Sequence, residues 1–144
     1  MHHNKQEQDV NPFQRLQQIV RTLRSDGGCP WDRKQTPQTL KKYLLEEAAE
    51  LAEAVELGDP QHICEEIGDL YFILALLTTV FEEQSSFSAD DALHLACEKM
   101  VRRHPHVFAA SSNDPPLSEQ QLREQWEQIK KEEKKARTRQ QAAE

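Results

Sequence analysis

Residues 36–77 read TPQTLKKYLLEEAAELAEAVELGDPQHICEEIGDLYFILALL, and they decide the fold. Thr36-Pro37 is a helix cap followed by a proline in the first turn, where its missing N–H costs nothing. The helix that starts there runs to Gly58, a residue suited to a helix end. Asp59-Pro60 repeats the start signal at once. With so short a connection, the two helices are expected to fold back on each other as an antiparallel hairpin. Leu40, Leu44, Leu51 and Val55 form an apolar stripe on the first helix, and Ile63, Leu70, Ile73 and Leu77 form one on the second.

Outward from this hairpin the same signals recur. Asn11-Pro12 opens a helix whose apolar face is Phe13, Leu16, Val20 and Leu23, ending before Gly27-Gly28. Residues 27–33 are expected to form a loop. Ser88-Ala89-Asp90-Asp91 opens a fourth helix through Arg103, stopped by His104-Pro105, and 104–117 read as an irregular connection. Ser118 and Gln121 make a capping box, with Leu117 stapled on Leu122, for a last helix bearing Leu122, Trp126 and Ile129. Beyond Lys130 the chain is charged and is expected to fray. The fold class is therefore all-α: a bundle of about five helices, one domain over 12–130, an N-terminal tail over 1–11 and a charged tail over 131–144. Wide apolar faces in so short a chain suggest a bundle completed by oligomerisation.

The chain has 144 residues, 37% hydrophobic and 30% charged, with 18 basic against 25 acidic residues and a net charge of −7. That balance argues against a nucleic-acid polymer as partner. The longest apolar stretch, Leu70 to Phe81, is shorter than the roughly 20 residues a membrane span needs. No signal-peptide core follows Met1, and three widely spaced cysteines make no disulfide framework, so a cytoplasmic location is expected. The charge is segregated. Residues 43–98 hold 14 acidic residues and no Lys or Arg, while the flanks hold all 18 basic residues.

Within that acidic block, Glu46, Glu50 and Glu53 lie roughly opposite the first stripe, and a solvated face accounts well for Glu46 and Glu53. Glu47 lies between stripe and solvent. Glu66 falls on the apolar face of the second helix, with Asp69 one turn on at its edge. A carboxylate on a buried stripe is costly unless paired or bound to a metal, and the segment offers no basic partner. Glu47 and Glu50 can face Glu66 and Asp69 across the hairpin, an oxygen-donor set suited to Mg²⁺, with Mn²⁺ as a substitute. Gly68, between Glu66 and Asp69, would permit close approach of a backbone or ligand. A di-iron bundle is disfavoured because paired Glu-x-x-His motifs are missing. Lys99 and Arg103 share a face near the end of the fourth helix, where cations are favoured by the helix C-terminus and from which they would also close over the phosphates of a metal-bound anion. Trp31 could stack on a base or anchor its loop, and core packing is the default for Trp126.

Four elements in order, Gly28-Cys29-Pro30-Trp31-Asp32, Glu46-Glu47-x-x-Glu50, Glu66-x-x-Asp69 and Lys99 to Phe108, resemble the MazG-type nucleoside triphosphate pyrophosphohydrolases over residues 12–130. The resemblance implies an all-α enzyme hydrolysing ribo- or deoxyribonucleoside triphosphates to monophosphate and pyrophosphate with Mg²⁺. It implies Glu47, Glu50, Glu66 and Asp69 as metal ligands, and Glu46, Glu47, Glu50, Lys99 and Arg103 as catalytic residues. Glu46 would assist metal binding or water activation. Trp31, Lys99, Arg102, Arg103 and Trp126 would contact substrate. A homodimer or homotetramer is implied, and His62 stands where some relatives carry a lysine. The alternative from another class is a non-catalytic helical module that senses nucleotides or binds a protein.

Overall fold

The structure, a computed structural model, describes residues 10–143. Residues 1–9 of the expected N-terminal tail lie outside the described residues. The described residues form seven helices and no strand: α1 (Pro12–Arg24), α2 (Pro30–Arg33), α3 (Pro37–Leu57), α4 (Pro60–Glu83), α5 (Ala89–Arg103), α6 (Pro105–Phe108) and α7 (Glu119–Ala143). The all-α expectation stands. Two single-turn helices, α2 and α6, replace segments expected to be irregular, each begun by a proline whose fixed φ suits a first turn. The chain divides into two compact units, one ending at Asp90 and one beginning at Asp91.

The first unit is built on the α3–α4 hairpin. Thr36 and Thr39 cap α3 reciprocally, Gly58 ends it with φ 78°, and the Asp59 carboxylate accepts from the Gln61 N–H to start α4. That left-handed φ is where glycine avoids the strain other residues meet. Leu40 from α3 packs with Ala75, Leu76 and Val80 from α4 and with Val20 from α1. Burying each large side chain is worth about 1.5–3 kcal/mol. The core lies toward the open end of the hairpin, and the same antiparallel register sets Glu47 of α3 across from Glu66 and Asp69 of α4. On α3 the buried stripe continues through Ala54, fully buried, while Val55 is 57% exposed, contrary to the expected stripe. Successive steps of four and three residues, 40-44-47-51-54, keep one side of a helix facing its neighbour. Glu47 lies on that stripe.

Arg24 ties three helices together. It makes two 2.9 Å bonds to the Glu83 carboxylate and donates to the carbonyls of Asp32 (2.5 Å) and Gln35 (3.2 Å). Between α1 and α2, the Cys29 N–H bonds the Leu23 carbonyl at 2.8 Å. A Cβ on Gly28 would lie 2.3 Å from that same carbonyl oxygen, so the turn requires a glycine there. The Gly-Gly-Cys-Pro run is thus a helix stop joined directly to a helix start.

In the second unit α5 and α7 are joined by polar and aromatic contacts, and none of its described residues is buried. Leu95, Met100, Val101, Val107 and Phe108 are exposed. The last helix does not fray at Lys130 but runs to Ala143. Apart from Thr138, its distal half is composed of Lys, Glu, Ala, Arg and Gln, good helix formers, and Glu133 is held by two arginines. Ser118 and Gln121 make the expected capping box. Among the described residues no helix is long and apolar enough to cross a membrane.

Candidate metal centre

Glu47, Glu66 and Asp69 each bring one carboxylate oxygen within 4.8 Å of the others. Glu47 and Glu66 are half-buried and Asp69 is exposed. One oxygen of each half-buried residue, Glu47 Oε2 and Glu66 Oε2, is buried without a hydrogen-bond partner. Such orphaned acceptors are costly in a folded protein. Burial pushes the Glu47 carboxyl above its ordinary range, and the charges of Glu50, Asp69 and Glu66 push it the same way. Among the described residues, no Lys or Arg is paired with these three carboxylates, and His62 is the one basic group beside them. A hard divalent cation supplies what the orphaned oxygens lack, and three carboxylates with room for further oxygen donors fit one.

The neighbours of the trio are unequal. Glu50, one turn along α3, is near enough for its charge to help raise the Glu47 carboxyl but lies outside the set within 4.8 Å. Glu46 is on the exposed face, 3.8 Å from Lys42 of the preceding turn, away from the convergent oxygens. His62 Nε2 stands 3.3 Å from Glu66 Oε1. Gly68 is not a point of close backbone approach, because a Cβ there would meet nothing within 4 Å.

In the same unit, the edge of Trp31 meets the ring of Tyr43 at 5.3 Å while the indole stays partly exposed. Asp32, its neighbour, is buried with Oδ1 unpartnered. Sequence reading had given Asp32 no role. Its one signal was its place in the Cys-Pro-Trp-Asp run.

In the second unit the basic residues gather around a carboxylate. Arg102 Nε and Arg103 Nη2 each reach Glu133 at 2.8 Å. The hydrogen bond from Arg103, with that from Arg102, pulls the Glu133 carboxyl down to about 2. The Arg103 guanidinium lies 5.1 Å from the Trp126 ring centre, and Trp126 meets His104 edge-on at 5.3 Å. The default packing role of Trp126 thus includes a cation–π contact. Lys99, Arg102 and Arg103 line one side of a cleft of about 850 Å³, with Leu95, Ile129 and Arg137 around it. Glu133 was not anticipated, because it lies in the segment read as a charged tail. Its position seven residues after Trp126, on the Trp126–Ile129 face, was the available signal.

Comparison with known proteins identifies the family. The sequence model of the MazG nucleotide pyrophosphohydrolase domain matches residues 35–108. The nucleoside triphosphate pyrophosphohydrolase/pyrophosphatase MazG of Thermotoga maritima is 41% identical over 122 residues, covering 85% of this chain and 45% of that protein. The nucleoside triphosphate pyrophosphohydrolase of Escherichia coli is 37% identical over 126 residues, 87% of this chain and 47% of that protein. An uncharacterized Bacillus subtilis protein, YabN, is 43% identical over 122 residues, 85% of this chain and 24% of that protein. The chain therefore spans less than half the length of these curated relatives. The crystal structure of a MazG-related protein from Thermotoga maritima superposes with a TM-score of 0.66 at 32% identity, covering 82% of this chain and 98% of that one.

Proposed function

The chain belongs to the MazG nucleotide pyrophosphohydrolase family, and from that premise we propose that it hydrolyses nucleoside triphosphates to nucleoside monophosphate and pyrophosphate. The substrates are ribo- or deoxyribonucleotides, and the cofactor is Mg²⁺ with Mn²⁺ as a substitute. The observation that carries the reading is the pair of buried, unpartnered oxygens on Glu47 and Glu66 converging with Asp69.

Glu47, Glu66 and Asp69 would hold the cation, with Glu50 reaching it from the next turn. When bound, the cation supplies charge neutralisation for the phosphate chain and Lewis-acid polarisation of a phosphoryl oxygen. Glu50 is open to solvent and electrostatically coupled to Glu47, so it is the carboxylate we propose to take a proton from the attacking water. Glu46 is the weaker candidate for that task because it faces solvent beside Lys42. Within the second unit, Lys99, Arg102 and Arg103 would bind phosphate oxygens, and Trp126 would contact substrate. Within the first unit, Trp31 would offer its ring to a base.

The partner is an anionic small molecule rather than a nucleic-acid polymer. A cytoplasmic location is consistent with three free cysteines. The protein works as a homodimer or homotetramer. Leu45, Val55 and Leu57 in the first unit, and Val107 and Phe108 in the second, are each more than half exposed, apolar side chains that a second copy would cover. Sedimentation measures that state directly.

The test of the activity is a panel of ribo- and deoxyribonucleoside triphosphates with Mg²⁺, scored for pyrophosphate. Release that disappears in Glu66→Gln supports the reading. Nucleotide binding without release from any member of the panel would instead identify a non-catalytic sensing module.

A further inference from the structure

We propose that Glu133 is a positioning residue for the anion-binding arginines, so that the helix beyond Lys130 is part of the working protein rather than a tail. The inference rests on the reading that Arg102 and Arg103 meet substrate phosphates. It concerns a residue beyond the segment matched by the family model.

The geometry is that of a clamp. A guanidinium carries five N–H donors in a rigid plane, and its direction decides what it can bind. Glu133 takes the Nε and Nη2 edge of Arg103, at 3.3 Å and 2.8 Å to Oε2, and the Nε of Arg102 at 2.8 Å to Oε1. The Trp126 ring, seven residues earlier on the same side of α7, adds a contact 5.1 Å from the Arg103 guanidinium carbon. Arg103 and Glu133 are only 15% and 14% exposed, so neither swings freely in solvent. The bonds engage one edge of Arg103 and the stem-side nitrogen of Arg102. Nη1 of Arg103 and both terminal nitrogens of Arg102 remain for an anion at the cleft that Lys99 and Arg137 also line. Arg103 becomes a fixed donor and half-exposed Arg102 is tethered beside it, which lowers the ordering cost of binding a phosphate chain.

Inorganic pyrophosphate, titrated calorimetrically into the full chain, is the probe. Glu133→Ala is expected to weaken its binding about tenfold, the scale at which groups that orient a ligating side chain act. Glu133→Gln keeps one acceptor oxygen at the same reach and should fall between the two. Mn²⁺ affinity should be equal in all three proteins, a contrast that general loss of structure would not produce. The ¹⁵N resonance of the Arg103 Nε–H should shift in both variants. Pyrophosphate affinity unchanged or tightened in Glu133→Ala overturns the proposal, tightening marking Glu133 as a competitor for the arginines; so does a wild-type chain that binds no pyrophosphate. If nucleotides are not turned over but pyrophosphate binding still depends on Glu133, the functional reading fails and this one stands.

Discussion

Glu47→Gln keeps the volume of the side chain while removing one charge from the trio. The three ligand oxygens lie within 4.8 Å of one another. Two unit charges at that distance repel by about 3.5 kcal/mol at an effective dielectric of about 20, and by about 0.9 kcal/mol in water. Asp69 is exposed, so its pair with Glu47 lies near the lower figure; the pair with half-buried Glu66 lies nearer the middle. Together they make the metal-free relief about 3 kcal/mol. The glutamine amide still buries a polar atom without a partner, which offsets about 1 kcal/mol. The net expectation in EDTA is a variant more stable than wild type by about 2 kcal/mol, or about 8 °C in Tm. With Mg²⁺ at about a hundred times its Kd the order reverses, because wild type gains about 2.7 kcal/mol from binding and the variant gains little. Thermal unfolding followed by circular dichroism, in EDTA and in Mg²⁺, reads both effects. A variant that melts below wild type in EDTA, or that gains as much from Mg²⁺, would refute the reasoning.

Other perturbations separate the remaining parts. Asp69→Asn should abolish Mn²⁺ binding measured by paramagnetic resonance, whereas Glu50→Gln should retain measurable binding and lose at least about 100-fold in turnover, the scale of a missing general base. Gly28→Ala forces a methyl onto the Leu23 carbonyl oxygen and should lower stability by more than about 1 kcal/mol in urea unfolding. The Glu133 carboxyl sits at about 2 when folded, below its ordinary 4.5. Its stabilisation is therefore fully present above about 4.5 and lost as pH falls toward 2. The stability difference between wild type and Glu133→Gln, measured by chemical denaturation, should shrink across that window.

The parts of the molecule governed by local chemistry were legible in the sequence. Asn11-Pro12, Thr36-Pro37 and Asp59-Pro60 each place a cap beside a proline, and each starts a helix in the structure. Glu66 was legible because an unpaired carboxylate on an apolar face has few physical explanations. Glu47 was read only as an intermediate case, since the stripe was drawn through Val55 rather than Ala54 and this rotated the assumed face. Glu46 and Glu50 look alike in sequence, and only their neighbours distinguish them: Lys42 for one, Glu47 for the other. Glu133 was hidden for a different reason. Its burial comes from two arginines some 30 residues away in the chain, a pairing that no local pattern encodes.

Phosphorus NMR of ATP incubated with the full chain and Mg²⁺ tests the central claim most directly, because it identifies which bond is broken. AMP and pyrophosphate should appear together in equal amounts, and EDTA should stop both. ADP and orthophosphate, or no change in any nucleoside triphosphate tried, would contradict it.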